Sequence, residues 1–158
     1  MNKPLILIAL SMIAAPLSAK ESLGVYGQWA AFKDDDTARC YAIAAPRGSN
    51  SDQSFISIGT WPKKDVRGQV HVRLKEAADP KRSVRLSISG ETFDLVARGR
   101  NAWPADKAGD AAIIAAMRST GSLSVSAQSA SGSRFTSRYS LDGAATAMDA
   151  ATVGCADA

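Results

Sequence analysis

Alternation of apolar and polar residues along the chain predicts a series of short β-strands. Residues 68–75 alternate, with Val70, Val72 and Leu74 on one face and polar side chains on the other. This period of two is typical of a half-buried strand. The same alternation, or an apolar run bounded by turn residues, predicts further strands at 55–61, 83–89, 92–97, 122–128 and 134–140. Short strands at regular spacing favour an all-β sandwich or barrel.

An apolar, aromatic-rich hairpin is predicted ahead of these strands. Its two runs, Val25–Lys33 and Arg39–Ala45, are separated by Asp34-Asp35-Asp36-Thr37, which we interpret as a solvated polar turn. The three aspartates raise a calcium site as an alternative, but the glycine and the distal glutamate of an EF-hand are missing. Both faces of the second run are apolar, so we expect this strand to be covered on both sides.

Two short helices are predicted near the C-terminus, where the period changes from two to three or four. Asp110 can cap the first helix and Gly121 can end it. The second helix is predicted over 143–155, with Asp142 as its cap. Small apolar residues recur in it at intervals of three and four up to Cys155, which therefore faces inward with the apolar stripe.

The N-terminal residues have the pattern of a secretory signal peptide. Lys3 is followed by the apolar run Leu5–Ala15 and by small residues up to Ala19. The run is shorter than the roughly 20 residues that a membrane span needs, which disfavours the alternative of an uncleaved anchor. We therefore expect cleavage after Ala19. Residues 20–158 then form one domain that is not an integral membrane protein.

Export bears on the chain's two cysteines, Cys40 and Cys155. Two cysteines in an oxidising compartment are expected to pair. The alternatives are a reactive thiol and a metal ligand, and both are disfavoured because the chain has one histidine and no C-x-x-C motif. The predicted disulfide joins the opening hairpin to the last helix.

The order of these features resembles that of the invasion-associated locus B family of exported bacterial envelope proteins. The matching motifs are W-A-A-F-K-D…R-C-Y at 29–41, A-A-M-R-S-T-G-S-L-S-V-S at 115–126, and Y-S-L-D-G at 139–143, followed by a small-residue helix that ends in Cys155. The resemblance implies an immunoglobulin-like β-sandwich with two short helices and one disulfide. It also implies a role in adhesion at the cell envelope, which in some pathogenic members extends to entry into host cells.

The residues that catalysis requires are scarce in this sequence. His71, the single histidine, is expected on the wet face of its strand, which argues against a catalytic triad, and G-x-S-x-G is missing. The three glutamates lie near a terminus or a turn, and no phosphate-binding G-x-x-x-x-G-K-[ST] motif occurs. We therefore predict a protein without enzymatic activity, cofactor or metal.

Positive charge provides the one indication of a binding surface. The whole chain has a net charge of +4, and residues 63–100 contain ten Lys or Arg against five Asp or Glu. The residues predicted to attract an anionic partner are Lys63, Lys64, Arg67, Arg73, Lys75 and Arg85. The alternative is an ordinary solvated sheet face whose cations deter edge-to-edge aggregation. Nucleic acid is disfavoured as the partner because the protein is expected to be exported and has few aromatic residues.

The tryptophans have two interpretations as well. Trp29, Trp61 and Trp103 could form a platform on which sugars stack, but tryptophans in a small β domain more often belong to the core. The sequence as a whole predicts a non-catalytic protein, periplasmic, secreted or associated with the outer membrane, that binds an anionic glycolipid or an acidic protein. The alternative is a structural or stress-protective periplasmic protein that binds another envelope protein, for example as an inhibitor of a cell-wall hydrolase.

Overall fold

A computed structural model describes residues 20–48 and 53–156, which form ten antiparallel strands and two helices. The strands are β1 (Glu21–Tyr26), β2 (Trp29–Asp34), β3 (Arg39–Ala44), β4 (Phe55–Trp61), β5 (Val66–Arg73), β6 (Val84–Ile88), β7 (Glu91–Arg98), β8 (Asn101–Trp103), β9 (Ser122–Gln128) and β10 (Arg134–Ser140). Helix α1 (Lys107–Met117) precedes β9, and helix α2 (Ala144–Gly154) follows β10. The predicted signal peptide, residues 1–19, lies outside the described residues, as do residues 49–52.

The strands are joined in one hydrogen-bonded order, β1-β2-β3-β4-β5-β8-β7-β6-β9-β10. Strand β7 connects the two halves of this order. Its first part, 91–95, pairs with β6, whereas its last part, 96–98, pairs with β8. The fold is therefore mainly β, as predicted, but the ten strands form one continuous series.

One face of both halves contributes to a single hydrophobic core. Ile56 and Val72 from the first half are completely buried, as are Leu86 and Val125 from the second half, and all belong to one cluster. These are the apolar positions of the alternating sequence pattern, so the pattern correctly predicts which face is buried. The sheet must curl for both halves to reach this core.

Two hydrogen bonds hold the last strand against the first half of the sheet. The backbone N–H of Arg47 donates to the carbonyl oxygen of Arg138 at 2.7 Å. The indole Nε1 of Trp29 donates to the carbonyl oxygen of Ser140 at 2.8 Å. Trp29 is 1% exposed, and its N–H needs such a partner because a buried donor without one is costly. This tryptophan therefore belongs to the core, whereas Trp61 and Trp103 are half-buried.

The predicted disulfide between Cys40 and Cys155 is confirmed. Their Cα atoms are 5.8 Å apart, and the bond closes a loop across 115 sequence positions. In the chain-entropy model a loop of this length contributes about 5 kcal/mol to the free energy of unfolding. Helix α2 packs on β1, β2 and β3, with Ala144, Met148 and Ala151 buried in the contact. The predicted inward orientation of Cys155 is thus correct.

The prediction of one strand over Val25–Lys33 is wrong. The chain turns at Gly27 and Gln28, so that Tyr26 at the end of β1 pairs with Trp29 at the start of β2. Gly27 has a φ of +54°, a left-handed conformation that glycine adopts readily. The apolar residues on both sides of this turn belong to two strands, which is why the run looks continuous in the sequence.

The predicted solvated turn begins one residue too early, because Asp34 is the last residue of β2 and is only 4% exposed. Its carboxylate accepts a hydrogen bond from the N–H of Thr37 and lies 3.6 Å from Arg39 Nε. Burial alone would raise the pKa of Asp34, but the hydrogen bonds from Thr37 and the charges of Arg39 and Lys20 hold it below its usual value.

The N-cap predicted for each helix differs in the structure. Helix α1 begins before Asp110, and the side chain of Asp106 caps it by accepting a hydrogen bond from Gly109 N at 2.8 Å. Asp110 instead accepts from Val70 N at 2.8 Å, which ties α1 to β5. Helix α2 is preceded by Gly143 without a side-chain cap, so Asp142 does not have its predicted role.

We predict that Gly143→Ala destabilises the protein strongly. Gly143 has a φ of +81°, and a Cβ there would overlap the carbonyl oxygen of Tyr26. Gly132→Ala is the matched control, because Gly132 has a φ of +91° but open space around it. Left-handed strain should cost both variants about 1–2 kcal/mol, and overlap should cost Gly143→Ala about 1–3 kcal/mol more. Urea unfolding measures both losses, and equal losses would contradict this account.

Candidate functional site

Strand β9 has an outer face made of small polar residues. Its sequence alternates, so Leu123 and Val125 point into the core while Ser124 and Ser126 lie half-buried on the opposite face. Strand β9 is hydrogen-bonded to β6 on one side and to β10 on the other. The serines therefore form the floor of a depression between β6 and β10, whose outer side chains are larger.

The neighbouring strands place arginines along both sides of this floor. On β6, Arg85 pairs with Ser126, and on β10, Arg134 and Arg138 are exposed on the same outer face. These positions follow from the registers, because residues that pair across antiparallel strands have side chains on the same face. Arg138 pairs with Ser124. The serine floor thus lies between cationic side chains from two strands.

Two grooves occupy this part of the surface. The first has a volume of about 360 Å³ and is lined by Arg82, Arg85 and Arg134 together with polar and apolar residues of β9 and β10. The second has a volume of about 260 Å³ and is lined by Arg47 and Arg138. We call the two grooves with their serine floor the arginine trough. Among the described residues that line it there are five arginines and no carboxylate.

Within the described part of the chain, one arginine of the trough, Arg85, forms an ion pair, with Asp94 on β7. Its Oδ1 atom lies 3.9 Å from Arg85 Nε, and both side chains are about two-thirds or more exposed. An exposed pair at this distance contributes little free energy, because water screens both charges. Arg85 can therefore exchange this contact for an anionic ligand at small cost.

The residues predicted from the sequence as one anionic-partner surface are spread over several parts of the fold. Lys63 and Lys64 lie in a short 3-10 turn after β4, and Arg67 is near the start of β5. Lys75 is exposed just after β5. Arg85 lies on β6, and strands β8 and β7 separate it from β5. The structure thus brings Arg85 together with other arginines, but not with these four residues.

Arg73, the sixth predicted residue, belongs to a cluster around the histidine on the outer face of β5. Its Nη1 atom lies 3.5 Å from Asn101 Oδ1, which is also 3.1 Å from Nε2 of His71. The ring of Phe55 contacts His71 edge-on, with the two centroids 5.4 Å apart. His71 therefore lies on the outer face of its strand, as predicted, but it is half-buried there and not a solvated surface residue.

Of the five arginines that line the trough, the sequence predicts only Arg85 as a binding residue. Arg134 and Arg138 lie outside the basic segment 63–100, on which that prediction rests. The alternation of R-F-T-S-R at 134–138 nevertheless puts both on one face, and this is a signal that the sequence contains. The pairing of β6 with β9, which brings Arg85 to the same place, joins strands far apart in the chain and leaves no local signal.

The described residues contain neither a group of side chains that could hold a metal ion nor a helix that could span a membrane. Within residues 20–48 and 53–156, no three His, Cys, Asp or Glu side chains are grouped so that they could hold a metal ion. Neither helix is long and apolar enough to cross a bilayer.

Comparison with known proteins does not identify a relative. No family model, no curated protein and no solved structure matches this chain. The resemblance to the invasion-associated locus B family therefore stays a prediction from the sequence.

We predict that His71 has a pKa below its usual value of 6.5. Burial disfavours the imidazolium and the charge of Arg73 adds to this, while the hydrogen bond with Asn101 opposes it. Because the folded state resists protonation, stability should fall as the pH drops below 6.5 toward the folded-state pKa. His71→Gln should remove this part of the pH dependence. NMR titration of the ring measures the pKa, and a value at or above 6.5 would contradict the prediction.

Proposed function

We propose that this protein is a non-catalytic, exported envelope protein that binds an anionic partner through the arginine trough. The single observation that carries the proposal is that the described residues lining two adjoining grooves include five arginines and no carboxylate. A depression lined by one sign of charge focuses the electrostatic potential and attracts ligands of the opposite sign. Arginine also presents a planar fork of donors that matches carboxylate and phosphate groups.

The proposed location is the periplasm, the outer membrane surface or the medium. The disulfide supports it, because such bonds form and persist in oxidising compartments outside the cytoplasm. The motifs at 29–41, 115–126 and 139–143 support membership of the invasion-associated locus B family, and adhesion at the envelope is the role that this membership implies. Cleavage of a signal peptide after Ala19 is part of the same proposal.

We further propose that the fold is an immunoglobulin-like sandwich. The support is the behaviour of β7, which pairs with β6 through its first part and with β8 through its last part. A strand that changes partners in this way can pass from one layer of a sandwich to the other. The single core between the two halves is the arrangement that two packed layers would have.

A second candidate function is binding to another envelope protein. A shallow groove of about 350 Å³ favours it, because the groove is lined mainly by apolar residues that include Val25, Ile43 and Phe55. Val25 is 73% exposed. Binding at this groove would survive about 0.5 M salt, whereas binding at the arginine trough would weaken, because the Debye length falls to about 4 Å.

The proposal predicts that Arg85→Gln/Arg134→Gln weakens binding to an immobilised anionic polymer such as dextran sulfate. We expect at least a tenfold loss of affinity, because hydrogen bonds to charged groups contribute about 1.5–3 kcal/mol each. The charge-matched control is Lys33→Gln/Lys107→Gln, which removes two cations outside the arginine trough. Surface plasmon resonance at low salt, with neutral dextran as the reference, measures the affinities.

Two outcomes would contradict the proposed function. Equal weakening by the control would mean that net charge alone drives the binding. No binding of the unmodified protein to the anionic polymer at low salt would exclude an anionic partner. Circular dichroism of each variant separates loss of binding from loss of folding.

A further inference from the structure

The arginine trough has the shape and the charge spacing of a site for a linear chain. Its two grooves share one floor, which is the outer face of β9. On this floor Ser124 pairs with Arg138 of β10, and Ser126 pairs with Arg85 of β6. Seven residues of β9 span about 24 Å at roughly 3.4 Å per residue. The site is therefore much longer than a single phosphate or carboxylate group.

The cations are also too far apart for one small anion. Arg134 and Arg138 lie four residues apart on the same face of β10, which places their Cα atoms about 14 Å from each other. Arg85 lies two strand spacings from β10, a distance of about 10 Å. A ligand that contacts all three must carry several negative charges along its length.

The floor indicates what lies between those charges. Ser124, Ser126 and the neighbouring Thr136 present hydroxyl groups, each of which can both donate and accept a hydrogen bond. Sugar hydroxyls have the same dual character. A ligand with alternating acidic and hydroxyl groups would satisfy both the floor and the arginines.

The position of β9 within the sheet argues against an extended acidic peptide. Peptides that lie along a strand usually add to an open sheet edge through main-chain hydrogen bonds. Both edges of β9 are already paired, one with β6 and one with β10. Recognition in the arginine trough must therefore rely on side chains, which suits a sugar chain better than a peptide backbone.

Resting on the proposed function, we propose that the ligand is a linear acidic glycan that lies lengthwise along β9. Its acidic groups pair with the arginines on both sides, and its hydroxyls hydrogen-bond to the serine floor. The bound chain covers the full length of β9. Chains shorter than this length make only part of the contacts.

Oligogalacturonates of increasing length test this proposal by isothermal titration calorimetry. Affinity should rise with chain length until the chain spans about 24 Å, the length of β9, and should then level off. Poly-glutamate and vesicles of phosphatidylglycerol serve as the acidic peptide and the anionic lipid surface. Both should bind at least tenfold more weakly than the longest oligogalacturonate.

A substitution that leaves the charge unchanged tests the floor itself. Ser126→Leu fills the arginine trough with an apolar side chain and should reduce oligogalacturonate affinity at least tenfold. Ser22→Leu makes the same change at an exposed position of β1, outside the arginine trough, and should have no effect. Melting temperatures of both variants identify any loss of folding, and Ser126→Ala, which removes only the hydroxyl, gives a second and smaller expected loss.

The outcomes separate this inference from the proposed function. If dextran sulfate binds through Arg85 and Arg134 but Ser126→Leu has no effect, the protein binds anions and the glycan inference is wrong. Equal or tighter binding of poly-glutamate or of the vesicles, or an affinity independent of chain length, would overturn it too. If no anionic probe binds at all, both the inference and the proposed function fail.

Discussion

The crosslink between Cys40 and Cys155 is the constraint on which the rest of the fold depends. It fixes the C-terminal end of α2 to β3, and the buried side of that helix then covers β1, β2 and β3. The chain enters α2 directly from β10, whose Ser140 carbonyl accepts the hydrogen bond from Trp29. The two ends of the sheet are therefore held together by one covalent bond, one helix and one buried hydrogen bond. This closure encloses the core, and the opposite face of the sheet carries the side chains that can contact a ligand.

That opposite face differs between the two halves of the sheet. On β3, Tyr41 is only 8% exposed because neighbouring side chains cover it, and the guanidinium of Arg39 lies 4.5 Å from its ring centroid. The expectation that β3 is covered on both faces is therefore correct at Tyr41, where side chains rather than a second layer provide the cover, but Ile43 on the same face is half-buried and lines the apolar groove. On β9 three of the four outer residues are serines, which are too small to cover the surface. The depression between β6 and β10 exists because of this difference in side-chain size.

The sequence predicts those features that depend on neighbouring residues. Alternation identifies the strand faces correctly for β5, β6, β9 and β10, and the count of two cysteines leads to the disulfide. The turn at Gly27 is missed because apolar residues flank it on both sides. The arginine trough is missed because Arg85 meets Arg134 only through β9, a contact between strands far apart in the chain. Counting charge along the sequence therefore finds Arg85 but places it with Lys63 and Lys64, which the fold separates from it.

Both proposals require that ligand binding takes place on the outer face of β6, β9 and β10. Mapping of backbone amide chemical shifts by NMR during titration with an acidic oligosaccharide locates the binding surface. We expect the largest shifts in 84–88, 122–128 and 134–140, with little change at α2 or around His71. Shifts concentrated at the 3-10 turn with Lys63 and Lys64, or at the apolar groove beside Val25, would contradict it.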